Sequence, residues 1–201
     1  GVTTLDLSPF FINSILENVK QVMSTTNQNV EINVDLDEIT IEADYHRLLQ
    51  VFTNIFTNSI KHSGTNCKIN CTVNDLESSI EINIDDNGPG IDNDKKDLVF
   101  ERFYRVDDAR NSKDGGSGIG LAIAKQIVTM HNGLITISNS QMGGTRVRIV
   151  LPKMQNFIDL RADTAESLSS SNQISKQNNF DAQKKTPSKE KTKWNSIQST
   201  T

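Results

Sequence analysis

The chain is poor in several residue types that set the class of a protein on their own. Its 201 residues include only 2 cysteines, 4 prolines and 1 tryptophan, and aromatic residues make up 5%. No apolar run approaches the roughly 20 residues of a membrane-spanning helix, and no basic-then-apolar signal segment stands at the start. Because the first residue is Gly1 and not Met, we expect a fragment or a processed product, with any membrane anchor outside this sequence.

The cysteines and the net charge narrow the possible classes further. Cys67 and Cys71 lie four residues apart in a segment that alternates like a strand, so they share a face but are too far apart for a disulfide. We expect reduced, structural thiols, as in the interior of a cell or organelle, because no second pair of metal ligands accompanies them. A net charge of −4 argues against general nucleic-acid binding.

Helical and strand-like patterns alternate over the first three quarters of the chain. Consecutive strand pairs in this order favour an α+β fold with helices on one face of a sheet and argue against a doubly wound fold. Ser8 and Pro9 predict the cap of the first helix, and Asp44 predicts the cap of the second. The predicted helices span about 10–23, 44–62 and 117–131, and the predicted strands span 30–34, 39–41, 67–73, 80–84, 134–138 and 145–151.

Two segments lack this periodicity. Residues 91–115 offer only a short apolar cluster, 98–100 with Phe103 and Tyr104, and otherwise read as a long loop. Residues 154–201 are rich in Ser, Lys, Asn, Gln and Thr, a composition that cannot bury enough apolar surface to fold. The sequence therefore predicts one domain at 1–153 and a disordered polar tail at 154–201, which is either a plain solvated extension or a docking segment.

The second predicted helix carries neutral amides on its polar face. Asn54, Asn58 and Lys61 follow at steps of four and three, opposite an arc of apolar residues that also contains Ser59. This face is either the solvent side of an amphipathic helix or the lining of a nucleotide pocket. In the second case an amide oxygen would suit Mg²⁺ and Lys61 would meet phosphate. His62, at the edge of the arc, fits a base contact or a plain surface position equally.

Two glycine-rich turns bracket the loop. Asp86 ends a predicted strand, and Gly88 and Gly90 let the backbone approach a ligand, so the carboxylate could accept a hydrogen bond from the exocyclic amine of adenine. The alternative is an ordinary turn without a ligand, because the same residues are common in such turns. The run 116–121 leads into a helix whose free amides suit an anion, although it matches neither a dinucleotide fingerprint nor a Walker A loop. Between them, Arg105 is a candidate for the terminal phosphate.

The order of these segments resembles the catalytic, ATP-binding domain of sensor histidine kinases. Residues 44–63 resemble the N box, 86–91 the G1 box, 99–105 the F box, 116–123 the G2 box, and 143–145 the last glycine box of that family. The resemblance covers about residues 5–153. It implies the Bergerat ATP-binding fold, a two-layer α/β sandwich with a mixed, mostly antiparallel sheet.

The resemblance also implies roles for individual residues, with ATP and Mg²⁺ as cofactors. Asn58 would bind Mg²⁺, Asp86 would read adenine, Tyr104 would belong to a mobile lid, and Lys61 and Arg105 would be catalytic. The full set implied to contact the nucleotide is Asn54, Asn58, Lys61, His62, Asp86, Gly88, Gly90, Ile91, Tyr104, Arg105, Gly116, Ser117, Gly118, Ile119, Gly120, Leu121 and Thr145.

The implied activity is transfer of the γ-phosphoryl group of ATP to a protein histidine. In the hydrolysing relatives a glutamate stands where this chain has Asn54, which cannot act as a base, so transfer is favoured over hydrolysis. His46, His62 and His131 all fall inside the ATP-binding part, so the acceptor is expected on a dimerisation hairpin of a homodimeric parent.

A response regulator would then take the phosphoryl group on. We expect the cytoplasmic face of a membrane, or the plastid stroma, with membrane contact only through other parts of the parent. A nucleotide-binding scaffold or sensor module without phosphotransfer remains the alternative.

Overall fold

The computed structural model of the protein describes residues 4–27, 29–35, 38–106 and 117–154. The chain divides into a unit of residues 1–155 and a unit of residues 156–201, and the description below concerns the first. The prediction of a disordered tail therefore lies outside the described residues, apart from Met154.

The described residues form seven strands and three α-helices. In chain order these are β1 (Ser8–Phe11), α1 (Ile12–Thr26), β2 (Val30–Asp35), β3 (Thr40–Ala43), α2 (Tyr45–Ser63), β4 (Cys67–Leu76), β5 (Ser79–Asp86), α3 (Gly120–Met130), β6 (Leu134–Asn139) and β7 (Thr145–Pro152). Short 3₁₀ turns occupy Gly64–Asn66, Asn93–Lys95 and Leu98–Phe100. None of the helices within the described ranges has the length and apolar character to cross a membrane.

The strands form two sheets. The larger has the order β2-β4-β5-β7-β6, with β2 parallel to β4 and the other pairs antiparallel. The smaller pairs β1 with β3 antiparallel, in the register Ser8 opposite Ala43. The predicted α+β fold with a mixed, mostly antiparallel sheet is confirmed.

One face of the large sheet is apolar and the other is polar, because strand side chains alternate. Ile80, Ile82 and Ile84 of β5 are buried in a single core with the apolar sides of the three helices. On the opposite face Asp85 accepts from Nε and Nη2 of Arg146, its cross-strand neighbour, at 2.9 and 2.7 Å.

The helix that displays the asparagines is held by a cap and by burial. Asp44 accepts a hydrogen bond from the backbone amide of Arg47 at 3.0 Å, as predicted for the start of α2. Leu48, Phe52 and Phe56 on the inner side of α2 are fully buried. Because the inner face is fixed in this way, the face with Asn54 and Asn58 is turned away from the core.

The cysteines fit their prediction. Cys67 and Cys71 are both buried and both free. Burial, with a smaller contribution from the nearby Asp85 carboxylate, raises the pKa of the Cys71 thiol to about 12. Both thiols are therefore protonated, structural groups.

Some predicted boundaries are wrong. Ser8 and Pro9 do not cap a helix but lie in β1, where pairing with β3 and an edge-on contact between Phe10 and Tyr45, 5.2 Å between ring centroids, outweigh the local signal. α1 begins only at Ile12, with no side-chain cap at Phe11. The β4–β5 turn lies beyond the predicted Asn74 and Asp75, at residues 77–78.

Candidate functional site

The carboxylate of Asp86 is the most heavily hydrogen-bonded group at the end of β5. Its Oδ1 accepts from the backbone amides of Gly88 at 3.0 Å and Thr145 at 2.9 Å. Its Oδ2 accepts from the hydroxyl of Ser59 on α2 at 3.0 Å. The residue is only 7% exposed, so its position and orientation are fixed by three donors from three different parts of the chain.

Glycines lie close to this carboxylate, and at Gly144 a side chain would not fit. A Cβ on Gly144 would overlap Oδ1 of Asp86 and the amide nitrogen of Gly88. A Cβ on Gly90, where φ is +75°, would meet the carbonyl oxygen of Gly144 at 3.5 Å. The predicted turn of residues 86–90 and the β6–β7 turn are therefore packed against each other, with Asp86 between them.

A second cluster lies where α2 meets the start of α3. Asn54 donates from its side-chain amide to the carbonyl oxygen of Gly120 at 3.1 Å. α3 begins beyond Ile119, whose side chain cannot cap the helix, so the first amides of α3 have no side-chain acceptor there. Such a helix start attracts anions.

The polar face of α2 continues past this contact. Asn58 is half-buried and Lys61 is exposed. Neither side chain makes a hydrogen bond or an ion pair with any described residue. A half-buried amide with no partner in the described part of the chain is available to a ligand, which is the arrangement expected of a metal or phosphate contact.

The loop before α3 is closed at its base by a backbone contact. The amide of Phe103 donates to the carbonyl oxygen of Gly118 at 2.9 Å. Both residues have positive φ, 68° and 66°, and a Cβ on Gly118 would lie 2.9 Å from the carbonyl oxygen of Tyr104. Because Gly118 takes this conformation, α3 begins at Gly120 and not at the predicted Ser117.

The other predicted site residues differ in their burial. Ile91, Tyr104 and Leu121 are partly buried against the core, while His62, Arg105 and Ser117 are exposed. Phe103 was predicted to join an apolar cluster with Tyr104 but is 72% exposed, so that part of the prediction is wrong. Gly116 lies outside the described residues.

The sequence reasoning missed two residues of the site. The sequence pattern puts Ser59 in the apolar arc of α2 and Gly144 in a turn. A serine in an otherwise apolar buried arc was the available signal, because a buried hydroxyl needs a hydrogen-bond partner. No sequence pattern indicated that Gly144 would pack on Asp86.

Amide oxygens are candidate metal ligands in this site. Within the described ranges, no group of three or more His, Cys, Asp or Glu side chains is arranged to hold a metal ion. Mg²⁺ keeps several waters and takes only one or two protein ligands beside phosphate, so a single amide such as that of Asn58 suits it.

A family model described as histidine kinase-, DNA gyrase B-, and HSP90-like ATPase matches residues 43–155, more than half of the chain. The matched range includes both clusters, from Asn54 to Thr145. The chain belongs to this ATPase family. Its two-layer α+β architecture is the Bergerat ATP-binding fold of the histidine kinase members.

Relatives of this ATPase-family chain are sensor kinases. The chain is 41% identical to the sensor protein kinase WalK of Staphylococcus aureus (strain MRSA252) over 144 residues. The match covers 71% of this chain and 23% of WalK. The mycobacterial sensor histidine kinase MprB aligns with a TM-score of 0.65 and 27% identity over 74% of this chain and 99% of the MprB chain.

Full-length ShkA, solved in complex with AMPPNP, aligns with a TM-score of 0.66 and 25% identity over 81% of this chain and 34% of the ShkA chain. The present ATPase-family chain spans about a quarter of the length of the curated relatives it matches. The match to the compact MprB chain is nearly complete for that chain, so the similarity is to a domain of these kinases.

Proposed function

We propose that this chain is the catalytic, ATP-binding part of a sensor histidine kinase and that it donates the γ-phosphoryl group of Mg-ATP to a histidine of another part of the parent protein. The observation that carries the proposal is the buried Asp86 carboxylate, held by three donors among glycines. A carboxylate that is ionised only accepts hydrogen bonds, and adenine offers an exocyclic amine to such an acceptor.

The phosphate end of the site supports the same proposal. The start of α3 presents backbone amides, and Asn54 fixes that start against α2 through Gly120. Asn58 would supply an amide oxygen to Mg²⁺, which neutralises charge on the transferring phosphoryl group when it is bound. Lys61 on the same face, together with the exposed Arg105, would bind and orient the phosphate oxygens.

The environment of His131 excludes this histidine as the phosphate acceptor. His131 is fully buried, and both of its ring nitrogens are in hydrogen-bond contact with backbone groups, so it is closed to ATP. Asn54 offers no base for activating water. The acceptor imidazole, on a dimerisation hairpin of the parent, would attack the γ-phosphorus and release ADP. A response regulator would then receive the phosphoryl group.

The decisive experiment combines the 201-residue chain with the acceptor hairpin of its parent, made separately, and γ-labelled ATP. We expect acid-labile, base-stable label on the hairpin. Binding of ATP without label on the hairpin would contradict the proposal in favour of a scaffold role. Steady phosphate release by the chain alone would contradict it in favour of a hydrolase.

The variant Asp86→Asn tests the assignment of Asp86 to the base, because it replaces one carboxylate oxygen by an amide group that donates hydrogen bonds. We expect ADP affinity to fall by roughly 10–100-fold, since a buried hydrogen bond to a charged group is lost and a donor then faces the base amine. Isothermal calorimetry on the folded variant measures this loss. Unchanged affinity would contradict the assignment of Asp86 to the base.

A further inference from the structure

Ser59 and Asp86 form a buried side-chain pair that the glycine boxes do not account for. The two residues are 5% and 7% exposed, and the Ser59 hydroxyl donates to Oδ2 of Asp86 at 3.0 Å. An ionised carboxylate offers about four acceptor positions. Two on Oδ1 are taken by the amides of Gly88 and Thr145, and one on Oδ2 is taken by Ser59.

We propose that Ser59 is a positioning residue that selects the base: it leaves Asp86 one acceptor position, on Oδ2, and so favours 6-aminopurine over 6-oxopurine nucleotides. This inference rests on the proposed function. The two backbone donors hold only Oδ1, and within the described ranges Ser59 is the residue whose hydrogen bond holds Oδ2. With both oxygens held, the carboxylate cannot turn to suit a different base.

The selection follows from donor and acceptor chemistry. The amine at position 6 of adenine donates to the remaining position on Oδ2. The carbonyl oxygen at position 6 of hypoxanthine would instead face a carboxylate oxygen, and two acceptors repel. Without Ser59 a second acceptor position on Oδ2 becomes vacant, and it can accept from N1–H of hypoxanthine. The loss of Ser59 therefore reduces discrimination as well as affinity.

The location of Ser59 argues against a role in packing alone. Its neighbours on the inner side of α2, Ile55 and Phe56, are apolar and fully buried. A hydroxyl in such a place is unfavourable unless it is hydrogen-bonded. The same helix, α2, also contacts the start of α3 through Asn54. The Ser59–Asp86 contact therefore connects the base end of the site, at Asp86, and its phosphate end, at the start of α3, to one helix.

Ser63 provides a matched control on the same helix. It lies one turn beyond Ser59, and its Oγ is also buried but is not among the groups that donate to Asp86. Replacing Ser63 by alanine removes a buried hydroxyl from α2 without touching Asp86. This variant therefore shows the effect of losing a buried serine hydroxyl of α2 while the Ser59–Asp86 contact is kept.

The test measures the affinities of ADP and inosine diphosphate, with Mg²⁺, for the full chain and for the variants Ser59→Ala, Ser59→Thr and Ser63→Ala. We expect Ser59→Ala to weaken ADP about tenfold, the scale of one lost hydrogen bond to a charged group, and to reduce the ADP preference at least severalfold. Ser63→Ala should keep both affinities. Ser59→Thr, which retains the hydroxyl, should restore the preference for ADP even if its added methyl lowers stability.

Each other outcome has a definite meaning. If Ser59→Ala binds both nucleotides like the unchanged chain, the inference is wrong while the proposed function stands. If Ser59→Ala weakens ADP and inosine diphosphate equally, the role of Ser59 is structural and the inference is again wrong. If the unchanged chain binds no ADP, the proposed function fails and this inference fails with it.

Discussion

At the scale of single residues, the site depends on the absence of side chains as much as on their presence. Asp86 is bound by amides of two separate turns, and this geometry requires the backbone of Gly144 to touch the carboxylate. Buried cores accommodate extra atoms poorly, because neighbours must shift or leave their preferred rotamers. At Gly144 the neighbours are a carboxylate and a backbone amide, neither of which can move without breaking a hydrogen bond.

Gly144→Ala should therefore destabilise the fold by about 2–3 kcal/mol and abolish ADP binding, because the new methyl group displaces Asp86 from its donors. The adjacent Gly143→Ala is the control: no atom lies within 4 Å of its Cβ position, although its φ is +96°. We expect that variant to lose only about 1–2 kcal/mol from the left-handed conformation and to bind ADP normally. Urea unfolding and ADP titration compare the two, and equal loss of binding would contradict the packing argument.

At the scale of elements, a buried histidine links the start of α2 to the end of α3. His131 follows α3 directly, and it contacts Asp44, which precedes α2. Nε2 of His131 accepts from the backbone amide of Asp44 at 3.0 Å, and Nδ1 lies 2.9 Å from the carbonyl oxygen of Ile127. Both contacts are satisfied by a neutral ring with the proton on Nδ1. Burial lowers the pKa of His131 below its ordinary value of 6.5, against the opposing influence of the Ile127 carbonyl and the Asp44 carboxylate.

This lowered pKa predicts how stability depends on pH. Above the ordinary value of 6.5 both the folded and the unfolded chain carry a neutral His131, and stability is independent of this group. As the pH falls below 6.5 toward the folded-state pKa, His131 binds a proton in the unfolded chain but stays neutral in the folded chain. The free energy of unfolding therefore falls. Urea unfolding between pH 8 and about pH 5 measures the loss, in a window above the titration of ordinary carboxyl groups.

His131→Gln should remove most of the acid-side loss and lower stability at neutral pH, because glutamine does not titrate but fits the two contacts less well. His46→Gln is the control, since His46 is exposed and should leave the loss in place. Identical pH profiles for His131→Gln and the unchanged chain would contradict this account.

The same scale explains how much of the molecule could be predicted from sequence. The start of α2, the face with Asn54 and Asn58, and the four strands β4–β7 follow from local periodicity and a capping aspartate, so their prediction was possible. β1 exists because residues 8–11 pair with residues 40–43, and Ser59 meets Asp86 from 27 positions away. Such long-range contacts leave no local pattern, and they also place Gly118 so that α3 begins late.

At the scale of the whole molecule, residue 153 joins the two sheets. The carbonyl oxygen of Lys153 accepts from the amide of Glu42 on β3 at 2.7 Å, and its amide donates to the carbonyl oxygen of Ser78 at 2.9 Å. Its Nζ forms an ion pair with Asp75 at 2.5 Å. Lys153, the first residue after β7, thus connects the small sheet to the β4–β5 hairpin of the large sheet by hydrogen bonds and an ion pair.

Two truncations test whether the folded, nucleotide-binding unit ends there. A chain that stops at residue 155 keeps all three contacts of Lys153 and should match the full chain in unfolding free energy and ADP affinity. A chain that stops at Pro152 loses two backbone hydrogen bonds and should be less stable by about 1–3 kcal/mol, since each is worth roughly 0.5–1.5 kcal/mol.

Lys153→Ala in the full chain is the control, because it removes only the half-exposed ion pair, worth less than about 1 kcal/mol. If the chain ending at 155 were as unstable as the one ending at 152, residues 156–201 would be part of the fold, and the domain boundary predicted at 153 would be wrong.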